Sequence, residues 1–248
     1  MLNLIDDIRK IETARASCAY GKKLACIVVV CAIVACGRAQ TVEGQEGLEQ
    51  KRAEAAQAAK EGAALQGQGT AQSLRQALEK YDAALKLWRE VADRKREATT
   101  LNDMGTVYYQ LGEYQQAINN YNAAIAIYQE TGSAKNEAIT RRNLALIYQY
   151  AGDLTKALEQ LNAFLDFMRQ NNDQTGQAYG LSDIGGIYFK TGDYKKALDY
   201  YSQALAVEQT LQDQDKQAGL LNRIGEVQQV TGQSQKALDS FSRALEIY

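Results

Sequence analysis

GEYQQAI at Gly112, GDLTKAL at Gly152, GDYKKAL at Gly192 and GQSQKAL at Gly232 recur at an unbroken spacing of 40 residues. A fixed period of this size marks a chain that stacks copies of one small unit. The register holds at other positions: Met104, Leu144, Ile184 and Ile224 align, as do Ala117, Ala157, Ala197 and Ala237. The period decides the architecture, a solenoid, before any single residue is weighed. Such arrays build extended surfaces from units laid side by side.

Within one period, Leu101, Met104, Val107 and Tyr108 mark one stripe, and Ala117, Ile118, Tyr121, Ala124 and Ile125 mark a second. Both follow the 3.6-residue rhythm of an amphipathic helix. The chain contains no proline, so nothing interrupts such helices. Gly112, Gly152, Gly192 and Gly232 fall between the stripes, where a left-handed helix end is needed. Glu113, Asp153, Asp193 and Gln233 follow as candidate N-caps of the second helix; Asp93, Ser133, Asp173 and Asp213 are candidates for the first. Each unit reads as a helix-turn-helix pair, and the chain as all-α.

Gly105, Gly185 and Gly225, with Ala145 in the same register, fall inside the first helix. Glycine there costs about 1 kcal/mol relative to alanine. Close approach by the second helix accounts for it, with Tyr121, Leu161, Tyr201 and Phe241 filling the gap. Ala124, Ala204 and Ala244 supply matching small positions, whereas Phe164 breaks the pattern and predicts a wider separation in its pair.

The series Leu101, Met104-Gly105, Tyr108, Ala117, Tyr121, Ala124 resembles the tetratricopeptide repeat, and three further copies follow it. The 40-residue period is similar to the long-helix subclass of kinesin light chains and Leu-Gly-Asn polarity adaptors. The usual closing proline is absent. The resemblance covers Gln72 to Tyr248 and implies a right-handed α-solenoid of antiparallel helix pairs. It divides the chain into a leader at 1–39, a divergent capping unit at 40–93, and four units at 94–133, 134–173, 174–213 and 214–248. In the capping unit, Ala77, Leu78, Tyr81, Ala84 and Leu85 keep second-helix register, while the alanine-rich first helix has lost the pattern. The wording QGTAQSLRQALEKYDAALKLWREV from Gln68 is similar to exported cyanobacterial repeat proteins, many of which continue into a caspase-like CHAT domain. Leu238, Phe241 and Leu245 on the last helix lack a following unit. A longer protein, or pairing of that helix with another chain, is therefore expected.

The resemblance further implies that first helices line a concave face that holds a protein or peptide segment. The positions beside the core stripe are then Asn102, Thr106, Tyr109 and Gln110; Arg142, Leu146, Gln149 and Tyr150; Ser182, Gly186, Phe189 and Lys190; and Asn222, Glu226, Gln229 and Val230. These vary between copies where the core register does not. Tyr109, Tyr150 and Phe189, with Arg142 and Lys190 beside them, are of the residue types that anchor interfaces. A peptide with apolar anchors and an acidic group is the expected guest. The competing reading is that these aromatics only pack between first helices.

Lys22 and Lys23 precede the apolar run LACIVVVCAIVAC from Leu24 to Cys36, which has the layout of a secretory signal. Ile33-Val34-Ala35-Cys36 resembles a bacterial lipobox, with Cys36 as the lipidation candidate. Cleavage after Ala39 and an uncleaved anchor are the alternatives. All three place the repeats outside the cytoplasm. The four cysteines lie within this leader, so the repeats hold no thiol. With no histidine in the chain, the commonest general base, nucleophilic dyads and most zinc sites are excluded, and no cofactor or metal is expected. The net charge of −2 and the absence of a basic stripe argue against nucleic acid. The leading expectation is a non-enzymatic interaction scaffold. The alternative is the regulatory array of a larger enzyme of the CHAT peptidase kind.

Overall fold

A computed structural model describes the backbone from Lys23 to Ile247 and the side chains from Gln45 to Ile247. The expectations for the leader, including lipidation at Cys36, concern side chains outside the described residues. The chain divides into two compact units, Met1–Glu54 and Ala55–Tyr248. Helix α1 spans Lys23–Gln66; within the first unit Gln50 Nε2 donates to Glu54 Oε1 one turn on, at 2.9 Å.

The second unit continues with α2 (Ala71–Glu90), α3 (Arg94–Gln110), α4 (Tyr114–Glu130), α5 (Ala134–Tyr150) and α6 (Leu154–Gln170). It ends with α7 (Gln174–Lys190), α8 (Tyr194–Leu211), α9 (Gln214–Val230) and α10 (Ser234–Ile247). From α3 onward each helix packs against the next in chain order, and the first helices α3 and α5 also meet. The unit is an all-α solenoid of repeated helix pairs, as the 40-residue period requires.

Five of the eight foreseen helix caps form. Asp93, Asp153, Asp173, Asp193 and Asp213 each accept a hydrogen bond from the backbone N–H three residues on, at 2.8–3.2 Å. Each such cap contributes about 1 kcal/mol. Glu113 and Ser133 stand at the N-cap position without making a side-chain cap. The longer Glu113 side chain is taken by Arg75 Nη2 at 2.9 Å, and the Ser133 hydroxyl lies 3.0 Å from that of Thr131. Gln233 likewise engages side chains, accepting from Lys236 Nζ at 2.9 Å.

Helix ends use the left-handed turn foreseen at Gly112, which has φ 76°. The N–H of Glu113 reaches back to Tyr108 O at 2.8 Å and that of Gly112 to Tyr109 O at 3.0 Å, the paired bonds of a Schellman end.

The interior glycines are explained by contact across each pair. A Cβ placed on Gly105 would stand 2.8 Å from the Tyr121 ring; on Gly185, 2.7 Å from Tyr201; on Gly225, 2.6 Å from Phe241. Where the first helix has Ala145, the facing residue is the smaller Leu161, and both are fully buried. The same device appears ahead of the four copies: Gly62 on α1 lies under Tyr81, with 3.0 Å left for a Cβ. The contact survives, offset from the 40-residue register. Phe164, the residue that broke the small-residue series, is housed by the following unit, its ring 3.2 Å from the Cβ position of Gly180.

Gly105→Ala should destabilise the array by about 1–3 kcal/mol through overpacking. Adding Tyr121→Leu, which copies the Ala145/Leu161 pairing, should recover part of that loss. Denaturant unfolding of the two single variants and the double variant measures the coupling, and strict additivity would refute the contact.

Candidate peptide-binding face

Every first helix carries, beside its buried stripe, a row of half-buried and exposed side chains, and neighbouring rows meet. Thr140 Oγ1 donates to Asn102 Oδ1 at 3.0 Å, joining α5 to α3. Arg142 Nε donates to Asp183 Oδ2 at 2.7 Å, joining α5 to α7. These links run between residues 38 and 41 apart, so the 40-residue period places equivalent positions side by side.

Tyr109 and Tyr150 come together with ring centroids 5.7 Å apart, joined by a residue missed in the sequence, Tyr114 at the start of α4. Tyr114 lies 6.2 Å from Tyr109 and is stacked on Tyr150 at the same distance. Lys190 Nζ stands 5.8 Å from the Tyr150 ring centre, a cation–π arrangement. Tyr150 is 61% exposed and Tyr114 39% exposed. A hydrogen bond with Tyr150, then burial, push the Tyr109 hydroxyl up to about 12, so it stays protonated across the physiological range. The patch offers flat apolar area with polar tips, the composition of a binding anchor. Tyr114 was legible only as the residue after a capping position.

A second group forms where α5, α7, α8 and α9 meet. Arg142 and Ser182, both foreseen, share a cavity of about 290 Å³ with Tyr179, Asp183, Glu208, Lys216 and Arg223, which were not. The Tyr179 ring receives the Arg142 guanidinium at 4.8 Å and Lys216 Nζ at 5.0 Å.

Other expected groove residues are occupied elsewhere. The Thr106 hydroxyl lies 2.9 Å from that of Tyr121, inside its own helix pair. Phe189 is half-buried, packs against the core and tilts onto Tyr194 at 5.8 Å, which fits the packing reading for that residue. Leu146 and Gln149 are half-buried on α5; Gln110 and Lys190 are exposed at their helix ends. On α9, Asn222 is half-buried, while Glu226, Gln229 and Val230 are exposed; these four fall in neither group. Among the described residues no group of three or more His, Cys, Asp or Glu is placed to hold a metal ion, and no helix is long and apolar enough to cross a membrane.

The family model for the tetratricopeptide repeat matches at residues 54–130, 97–170, 136–210 and 174–248. The chain belongs to the tetratricopeptide-repeat family. No protein of curated function matches it. Solved structures with the same fold include a putative kinesin light chain from Podosopora anserina (14% identity, TM-score 0.64, covering 76% of this chain and 93% of that one). Another is aspartyl phosphate phosphatase F from Bacillus subtilis (16% identity, TM-score 0.73, covering 84% and 54%). A third is a Rap protein complexed with competence and sporulation factor (20% identity, TM-score 0.63, covering 78% and 54%). This repeat protein thus spans about half the length of the last two. Its fold is of a kind suited to holding a protein or peptide along a concave groove.

Asp103 on α3 sits apart from the cations of this face. Burial pushes its carboxyl up to about 6, against a hydrogen bond donated by Asn102 at 3.3 Å. Folding therefore favours the protonated form, and stability present in acid is lost as pH rises through about 6. Asp103→Asn should stabilise the protein by on the order of 2 kcal/mol near pH 8 and by little near pH 4. Unfolding curves at both pH values check this; an equal effect at both would refute it.

Proposed function

We propose that the array is a non-enzymatic scaffold that holds a peptide or protein segment along the face of its first helices. The exposed tyrosine patch of Tyr109, Tyr114 and Tyr150 is the observation that carries this reading. Rings of two neighbouring units converge there on solvent with a lysine beside them, although the core of each pair is already filled by Tyr121 and Leu161. An apolar side chain of a guest docks on the patch, and an acidic group is drawn to Lys190 and Arg142. The Rap protein of similar fold is complexed with competence and sporulation factor, which supports a ligand-holding reading of this fold. The kinesin light chain of similar fold supports placing the chain in the long-helix subclass.

In the same reading the apolar run of residues 24–36 directs export, with Cys36 as lipid anchor, and the repeats work in the cell envelope. The support for this is the sequence layout alone, and mass measurement of the mature N-terminus tests it. The exposed Leu238 and Leu245 of α10 support self-association through that helix; the alternative reading is the regulatory array of a CHAT-type peptidase.

A peptide library selected on the full chain tests the scaffold reading. Tyr150→Ala should leave helicity intact and weaken the selected peptides by about tenfold or more, as loss of an interface anchor does. Unchanged affinity would remove the patch from the binding face.

A further inference from the structure

The repeats hold no cysteine, so no disulfide can join one helix pair to the next. Tyrosines meet instead at the junction between the first two of the four copies. Tyr114 is the first residue of α4 and Tyr150 the last of α5, so each side chain has a helical turn on one side only. Their ring planes differ by 5° and their centroids lie 6.2 Å apart. Exposed side chains change rotamer in picoseconds to nanoseconds, and a swing of either ring brings its edge against the other.

The surroundings direct one-electron oxidation to these two rings. Trp88, Met104 and Met168, the other readily oxidised side chains of the repeats, are 5% exposed or less. Tyr179 is 37% exposed, but the groups over its ring are the cations Arg142 and Lys216. Tyr188 and Tyr200 stack at 5.4 Å, yet both are half-buried inside one helix pair. Among the described tyrosines, Tyr114 and Tyr150 are the adjacent pair in which both rings are exposed.

We propose that Tyr114 and Tyr150 form an oxidative cross-linking site, joined ring to ring by a peroxidase-type one-electron oxidant, which fastens one helix pair to the next. Each phenol gives up one electron and one proton and becomes a phenoxyl radical, its spin shared onto the ring carbons ortho to oxygen. The two radicals form a Cε–Cε bond. Each bonded carbon then passes its hydrogen to its own oxygen, so both hydroxyls return. The balance is a loss of two electrons and two protons, which reduce one hydrogen peroxide to two waters at the oxidant. Because the fold holds the rings together, coupling within the chain outruns coupling between chains. The bond closes a loop around the turn at Gly132 and constrains the unfolded chain as a disulfide does. The proposal stands on ring geometry and exposure and is independent of any guest.

The test treats the full chain, dilute and with the cysteines of residues 1–39 alkylated, with a haem peroxidase and hydrogen peroxide. The native chain should stay monomeric, lose the mass of two hydrogen atoms and gain dityrosine fluorescence. Tandem mass spectrometry should place the link between Tyr114 and Tyr150, and the thermal unfolding midpoint should rise. Tyr114→Phe and Tyr150→Phe keep the ring without the phenol, and each should lose both the intrachain product and the rise. Tyr109→Phe should keep both. Absence of dityrosine, a link from Tyr150 to Tyr109, or coupling confined to Tyr188 and Tyr200 or to pairs of chains would overturn the proposal. So would a linked chain with an unshifted midpoint, or a Tyr114–Tyr150 link formed equally well in urea. Peptide capture by the untreated chain is read separately, so failure here leaves the scaffold reading standing.

Discussion

Four helix pairs depend on a ring of the second helix lying where the first helix has no Cβ, and in α5 and α6 Ala145 and Leu161 take those places. That contact sets how closely the two helices approach. Burying an aromatic side chain at such a seam stabilises by roughly 1.5–3 kcal/mol, which outweighs the intrinsic penalty of glycine in a helix. Tyr81, Tyr121, Tyr201 and the Leu161 variant all take part, each buried to 3% exposure or less. With the pair fixed, the rest of the first helix is free to vary on its outer row, and that row supplies most of both groups described above, with Tyr114 and Glu208 added from second helices.

The fold was legible because the constraint repeats. Four copies of one register identify the helices, the turn glycines and the buried face without reference to any single residue. The site was legible only in part, because binding positions differ from copy to copy by their nature. Tyr109, Tyr150, Arg142 and Lys190 could be named from their place beside the core stripe. Tyr114 could not, since it belongs to a different helix and enters the patch through a turn. Thr106 and Phe189 were named, yet their neighbours Tyr121 and Tyr194 engage them locally. Gly62 escaped because α2 begins ahead of its register position and the linker before it is longer, which puts the glycine out of the 40-residue register.

Glu208 carries a lesson about reading repeats. Its signal in the sequence is an acid aligned with Trp88, Tyr128 and Met168, and a glycine at 219 aligned with Thr99, Ile139 and Tyr179. Neither is conspicuous alone. Side by side they border one gap, where a buried carboxyl keeps one oxygen without a hydrogen-bond partner. Departures from a consensus inform most when two of them border the same cavity.

The two kinds of junction in the array are built differently. The turn within each pair uses glycine in all four copies, at Gly112, Gly152, Gly192 and Gly232, with φ between 76° and 81°. The turn between pairs takes the same left-handed conformation at Ala92, Asn172 and Gln212, with φ of 53°, 54° and 59°, and at Gly132. Side chains adopt that conformation at a cost of roughly 1 kcal/mol. Strain is thus concentrated at the seams between hairpins and kept out of the hairpins themselves. Under load or heat the array is built to part hairpin by hairpin, so that whole pairs serve as its units of opening and reclosure.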